Sequence, residues 1–165
     1  VIERASIVAE KSDAELANLI ANYERHRRIN DPRYLEALAE RDRRRSAGLS
    51  FDRSKQVIAT AARAGKFVSY KQLADASGVS WQRAHFPIFN HLWDLSVWSH
   101  GKFGILLSAV VVNEPNRETG EKDPDALNGF IRGAIEIGLD VGQDHEAFLR
   151  QQQHRVFEWA RSEAA

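Results

Sequence analysis

The 165-residue chain contains neither cysteine nor methionine. The first absence excludes disulfides, thiolate metal sites and cysteine nucleophiles together, and it fits a reducing compartment, so a cytoplasmic location is expected. The second predicts that the chain starts downstream of its initiation codon. Net charge is also missing: 23 Lys and Arg balance 23 Asp and Glu, so global electrostatics does not announce a polyanion ligand. The longest apolar run, Ile105–Val112, has eight residues including Ser108. Spanning a bilayer takes roughly 20, so no membrane partner is expected. Residues 1–10 mix Glu3, Arg4 and Glu10 with apolar residues, unlike a signal peptide. Neither a phosphate-cradling glycine loop nor an H-E-x-x-H helix occurs, and no cofactor is expected.

What is present supports one compact core with a helical arm, since 43% of residues are hydrophobic. Charge is unevenly spread. Residues 54–113 carry six basic side chains against two acidic ones, whereas residues 114–165 carry six against eleven. Ser12-Asp-Ala-Glu15 has the form of a capping box and opens a helix with Leu16, Leu19, Ile20 and Tyr23 on one stripe. Asp31-Pro32 opens a second, with Tyr34, Leu35 and Leu38 inward, running into Arg41-Asp-Arg-Arg-Arg45 and ending at Gly48. A third helix over about Asp52–Ala64 turns Val57, Ile58 and Ala61 inward and stops at Gly65.

The next segment is the most informative. Phe67–Tyr70 reads as a short edge strand, Lys71–Ser77 as a helix, Gly78 as a turn, and Ser80 as the cap of a helix that Pro87 should kink or split. Phe89, Leu92, Trp93, Leu95 and Trp98 continue its stripe to a stop at Gly101. The apolar stretch Ile105–Val112 predicts a strand covered on both faces, at the centre of the sheet. Asn113–Lys122 is a polar loop or hairpin tip. Helices from Asp123-Pro124 to Gly138 and from about Asp144 onward complete the chain. The order from Asp52 to Asn113 is that of a winged helix-turn-helix. The expected fold is therefore mainly α with a small β-sheet (α+β): a winged-helix domain over residues 51–122, an N-terminal helical pair over 1–50, and two C-terminal helices over 123–165.

Such a fold can place the second helix of the pair in the major groove of double-stranded DNA. Ser80, Gln82, Arg83, Asn90 and His91 are the candidate readers, because Gln and Asn can bond adenine and Arg can bond guanine bidentately. Lys66, Lys71 and Lys102, with Tyr70, are candidates for the phosphate backbone. Val68-Ser-Tyr-Lys-Gln-Leu-Ala74, with Gly78 and Arg83-Ala84, resembles the C-terminal winged-helix domain of alkylguanine-DNA alkyltransferases and alkyltransferase-like proteins. There a V-T-Y-G-x-[IL]-A segment precedes a recognition helix containing R-A. Leu107-Ser-Ala-Val-Val-Val-Asn113 can be laid on the family's P-C-H-R-V-V-N strand, with Val111, Val112 and Asn113 matching. Ser108 and Ala109 then stand where the family has its nucleophilic Cys and the following His, which excludes alkyl transfer to a thiolate. The resemblance covers about Lys55–Asn113, a third of the chain, and implies that Arg83 matches an arginine placed into the DNA stack. The whole arrangement also looks like that of small uncharacterised bacterial proteins.

These residues have plainer readings as well. Gln82, Arg83, Asn90 and His91 can be a solvated helix face, and the arginine clusters at 25–28 and 41–45 can pair with Glu24, Glu40 and Asp42 along their own helices. The four Trp can be core or interface residues. The leading expectation is a non-enzymatic DNA-binding protein. The first alternative is a protein-interaction module, or a homodimer, using the acidic C-terminal helices. The second is a metal-dependent nuclease, resting on His91 and Asp94 at helical spacing or on the acidic run Glu114, Glu118, Glu121, Asp123 and Asp125.

Overall fold

A computed structural model describes residues 8–163. The chain is mainly helical with one very small sheet. Helix α1 (Asp13–Arg25) starts at the capping box: Ser12 Oγ accepts from the Glu15 amide, and Glu15 accepts from the Ser12 amide at 2.8 Å. Helix α2 (Pro32–Arg45) is capped by Asp31, which accepts from the Arg33 amide. Positive φ at Ala47 and Gly48 then turns the chain into α3 (Phe51–Arg63). Strand β1 (Val68–Ser69) leads directly into α4 (Tyr70–Ala76), whose capping box joins Ser69 and Gln72. Pro87 splits the following helix, giving the single turn α5 (Trp81–Ala84) and the long α6 (Pro87–Phe103). Strand β2 (Val111–Val112), α7 (Pro124–Ile137) and α8 (His145–Glu163) complete the fold.

The two strands pair in parallel, Val68 with Val111 and Ser69 with Val112. This corrects the expectation of a full strand over Ile105–Val112. Residues Leu107–Val110 instead form a 3₁₀ turn, and only the last two residues are extended. The cause lies on α6. Ser99 Oγ donates to Ile105 O and accepts from the Leu107 amide, while Ser96 Oγ accepts from the Ser108 amide. Side chains thus satisfy backbone groups that a strand would have paired. The apolar run signals burial correctly, since every residue in it except Ser108 is buried, but a run of that length does not choose between extended and turned backbone. Asn113–Lys122 is a loop containing a short 3₁₀ turn at Glu114–Asn116.

The expected stop at Gly101 is likewise corrected: α6 runs on to Phe103 and ends with Gly104 in the left-handed conformation. Gly101 serves another purpose. A Cβ there would lie 2.4 Å from Ile29 O and 2.9 Å from the Leu35 side chain, so glycine lets the α1–α2 connection press against α6.

The main core joins α3, β1, α4, α6, the 105–111 segment and α8 around Ile58, Leu73, Ile88, Leu95, Leu107 and Val156. Each such side chain stabilises the fold by about 1.5–3 kcal/mol relative to exposure. A second cluster, with Leu16, Ile20, Tyr34, Leu35 and Leu38, packs α1 and α2 against Val97 of α6. Among the described residues, no helix is long and apolar enough to cross a membrane.

Candidate nucleic-acid interface

Helix α4, the turn at Gly78 and α5 form a compact corner. Gly78 takes φ of 70°, and buried Val79 and Ala84 anchor the turn and α5 to the core. Anchoring through those two residues turns the rest of α5 outward. Ser80, Gln82, Arg83 and Asn90 are all exposed, and Arg83 makes no ion pair among the described residues. Three aromatic side chains share this region with unusual exposure: Trp81 at 40%, Phe86 at 76% and Phe89 at 56%. The His85 ring lies 4.1 Å from the Phe86 ring, and its Nδ1 contacts the Gln82 carbonyl at 2.9 Å. Ser80 has the backbone geometry of an N-cap, but its side chain makes no capping hydrogen bond.

Two of the expected DNA-contacting residues are corrected. His91 is wholly buried: its Nδ1 meets Asp42 Oδ2 at 2.8 Å and its Nε2 meets Ser54 Oγ at 2.7 Å. It sits one residue beyond Asn90 on α6, and that step of about 100° carries the side chain from solvent to core. Tyr70 is buried as well, with its ring 5.6 Å from that of Phe89. Of the lysines, Lys66 is exposed, Lys71 pairs with Asp75 at 2.9 Å, and Lys102 lies over the Trp98 and Phe103 rings. Lys102 is about 18 Å along α6 from Asn90 at 1.5 Å per residue, so it does not share a surface with Arg83.

The arginine-rich end of α2 is occupied internally. Arg43 and Arg44 bond Glu40, and Arg44 also reaches Asp13 of α1. Arg41 and Arg45 cross to α6, where they meet the two oxygens of wholly buried Asp94 at 2.5 and 2.8 Å. His91 and Asp94 therefore face different partners. The pairing expected within α2 holds for Arg43 and Arg44 but not for Arg41 and Arg45.

A cavity of about 570 Å³ opens between α4, α6, the Ser108 turn and the start of α7. Tyr70, Phe89, Trp93 and Phe130 supply its aromatic walls, and Ser108, Asn113, Lys122 and Asp125 its polar groups. Phe89 belongs both to this wall and to the exposed aromatic region around α5. Lys122 donates to Ser108 O at 3.1 Å and to Val111 O at 2.5 Å, and burial pushes its ammonium down to about 7. The carbonyls and the nearby faces of Tyr70 and Phe130 oppose that shift by favouring the charged form. Asp123 accepts from the side-chain amides of Asn113 and Asn116.

Sequence reasoning missed two features. Lys122 stands in sequence only as the end of the polar loop Asn113–Lys122, and no local pattern marks its amine as half-buried and bonded to two carbonyls. The chain Ser54–His91–Asp42 has the hydrogen-bond order of a nucleophile, base and orienting carboxylate, yet all three side chains are sealed from solvent. It acts as a polar tie joining α2, α3 and α6. Helical phase was the available signal, since His91 shares a face with Ile88 and Leu95. No protein-family model, curated protein or solved structure matches the chain.

Proposed function

We propose that the protein binds double-stranded DNA without turnover, through a helix-turn-helix made of α4 and α5 within a winged-helix core. The observation that carries this reading is an exposed Arg83, without an ion pair among the described residues, close in sequence to the exposed rings of Trp81 and Phe86, with Phe89 leading from that surface into an aromatic-walled cavity. Arg83 is suited to wedge into the stack, Gln82, Asn90 and Ser80 to face the groove, and Lys66 and Lys71 to meet phosphates. A base displaced by such a wedge needs a receiving pocket with stacking faces. The cavity has the volume and the rings for one.

The resemblance to the alkyltransferase winged-helix domain points the same way. Its two matched segments, Val68–Ala74 and Leu107–Asn113, lie side by side through the β1–β2 pairing. Ser108 lines the cavity where the family has its nucleophilic Cys, and a hydroxyl in place of the thiol is consistent with binding rather than alkyl transfer to a thiolate. Helix α8 packs mainly on α3, α7 and the 107–110 turn, leaving Gln82 and Arg83 uncovered, which favours DNA over docking of the acidic C-terminal helices onto α5.

The test is duplex DNA binding by the wild type and Arg83→Ala at about 50 and about 200 mM salt, with and without Mg²⁺ to expose cleavage. Arg83→Ala is expected to weaken binding about tenfold. Absence of wild-type binding at about 50 mM salt, where non-specific contacts are strong, overturns the reading. Self-association blocked by Phe86→Ser would then favour the protein-interaction alternative.

A further inference from the structure

The cavity contains a group that DNA binding alone does not use. Lys122 lines it, and its Nζ directs two donors at Ser108 O and Val111 O. The same nitrogen lies 6.0 Å from the Tyr70 ring centroid and 5.6 Å from that of Phe130, and both rings line the cavity. Two carbonyls thus take two of the four tetrahedral directions around the nitrogen and the side chain a third. The remaining direction carries a third N–H in the ammonium and the lone pair in the free amine. From these positions we propose that Lys122 is an imine-forming amine, and that the cavity's ligand is an aldehyde, in DNA the ring-opened sugar of an abasic site. The DNA form of this ligand rests on the DNA-binding reading above.

The chemistry is self-contained. The amine nitrogen adds to the carbonyl carbon, one proton passes from nitrogen to oxygen to give the carbinolamine, and a second leaves nitrogen for that hydroxyl, which departs as water while the C=N bond forms. No electrons are exchanged with another reagent, and hydrolysis returns both partners. Asp125 lines the cavity and forms no ion pair among the described residues, so its carboxylate can carry the proton. Burial also pushes the Lys122 amine down to about 7, toward the free-base form that nucleophilic attack requires. Lys71 differs in this respect, because its bond to Asp75 holds it protonated.

Borohydride reduction turns such an imine into a stable amine that peptide mass spectrometry can locate. The full chain is incubated separately with 2-hydroxybenzaldehyde and with a duplex containing one abasic site, reduced, and mapped; an intact duplex is tested for binding in parallel. The expected result is an adduct at Lys122 at least tenfold above that at any of the other five lysines, Lys11, Lys55, Lys66, Lys71 and Lys102. Lys122→Arg keeps donors for the two carbonyls but cannot form the imine, and it should lose the adduct at least tenfold while remaining folded by circular dichroism. Labelling that follows exposure over the other lysines, or no adduct on the wild type, overturns the proposal whatever the variant does. An adduct from the free aldehyde but not from the abasic duplex, with intact duplex still bound, rejects the DNA form of the ligand. Failure of the intact duplex to bind bears on the DNA-binding reading alone.

Discussion

Asp94 is a carboxylate with no exposure, held by two arginines that are themselves partly solvated: Arg41 at 24% and Arg45 at 47% side-chain exposure. A buried charge is tolerated only when its oxygens are occupied, and here each oxygen has a guanidinium. Replacing Asp94 by Asn keeps the shape but leaves the two arginines facing an amide. Because both can turn partly to water, the expected loss is about 2–3 kcal/mol, read as a lower urea midpoint with an unchanged slope. Glu40 shows a milder version of the same physics. The Arg43 hydrogen bond, followed by that of Arg44, holds its carboxyl down at about 2 from 4.5. A lowered acid contributes stability that is fully present above pH 4.5 and is lost as pH falls toward 2. With Arg43 largely exposed, the contribution is about 1 kcal/mol. The urea midpoints of wild type and Glu40→Gln should therefore differ at pH 5 and converge by about pH 2.

At the scale of elements, much of the order was legible because it is written locally. Ser12 with Glu15, Asp31 with Pro32, and Gly65 and Gly138 each mark helix ends through groups within four residues. The 105–112 segment was not legible as a turn, because the side chains that satisfy its backbone come from Ser96 and Ser99 on another element. Gly101 was misread for a related reason: its neighbour across the contact is Ile29 O, 72 positions away in sequence. The site divides in the same way. Arg83 and Gln82 follow from helix phase and turn chemistry, and phase also places His91 on the inner face with Ile88 and Leu95, whereas its partners Asp42 and Ser54 and the enclosure of the Lys122 amine depend on what other elements bring against them. Two glycines separate propensity from packing. Gly101→Ala gains about 1 kcal/mol of helix propensity but forces a Cβ into Ile29 O, and overpacking of that kind costs about 1–3 kcal/mol. Since backbone rather than a flexible side chain must move, a net loss is expected. Gly129 in α7 has open space where an alanine Cβ would stand, with nothing within 4 Å, so Gly129→Ala should raise stability by about 0.5–1 kcal/mol. Thermal unfolding of the two variants should shift in opposite directions.

For the whole molecule, the question is whether residues 1–50 are an arm on an independent winged helix, as the sequence suggests, or part of one folding unit. The polar tie argues for one folding unit. Asp42 of α2 holds His91 of α6, which holds Ser54 of α3, while Arg41 and Arg45 of α2 neutralise Asp94 of α6. Burial pushes the Asp42 carboxyl up, opposed by its bond to His91, so the tie gains no strength from charge alone. Its consequence is cooperativity: removing α2 strips the partners from a buried carboxylate and a buried imidazole and exposes the α6 face around Val97 and Trp93. Each uncompensated buried polar group costs about 1–3 kcal/mol or more, against a total stability of only about 5–15 kcal/mol for a domain. A chain beginning at Ser50 is therefore expected to lose its fixed tertiary packing, seen as loss of near-ultraviolet circular dichroism with partial retention of helix. Urea unfolding of the full chain should give coincident transitions by Trp fluorescence and far-ultraviolet circular dichroism. A cooperative, native-like transition from the shortened chain would instead show that the helical pair is an appendage.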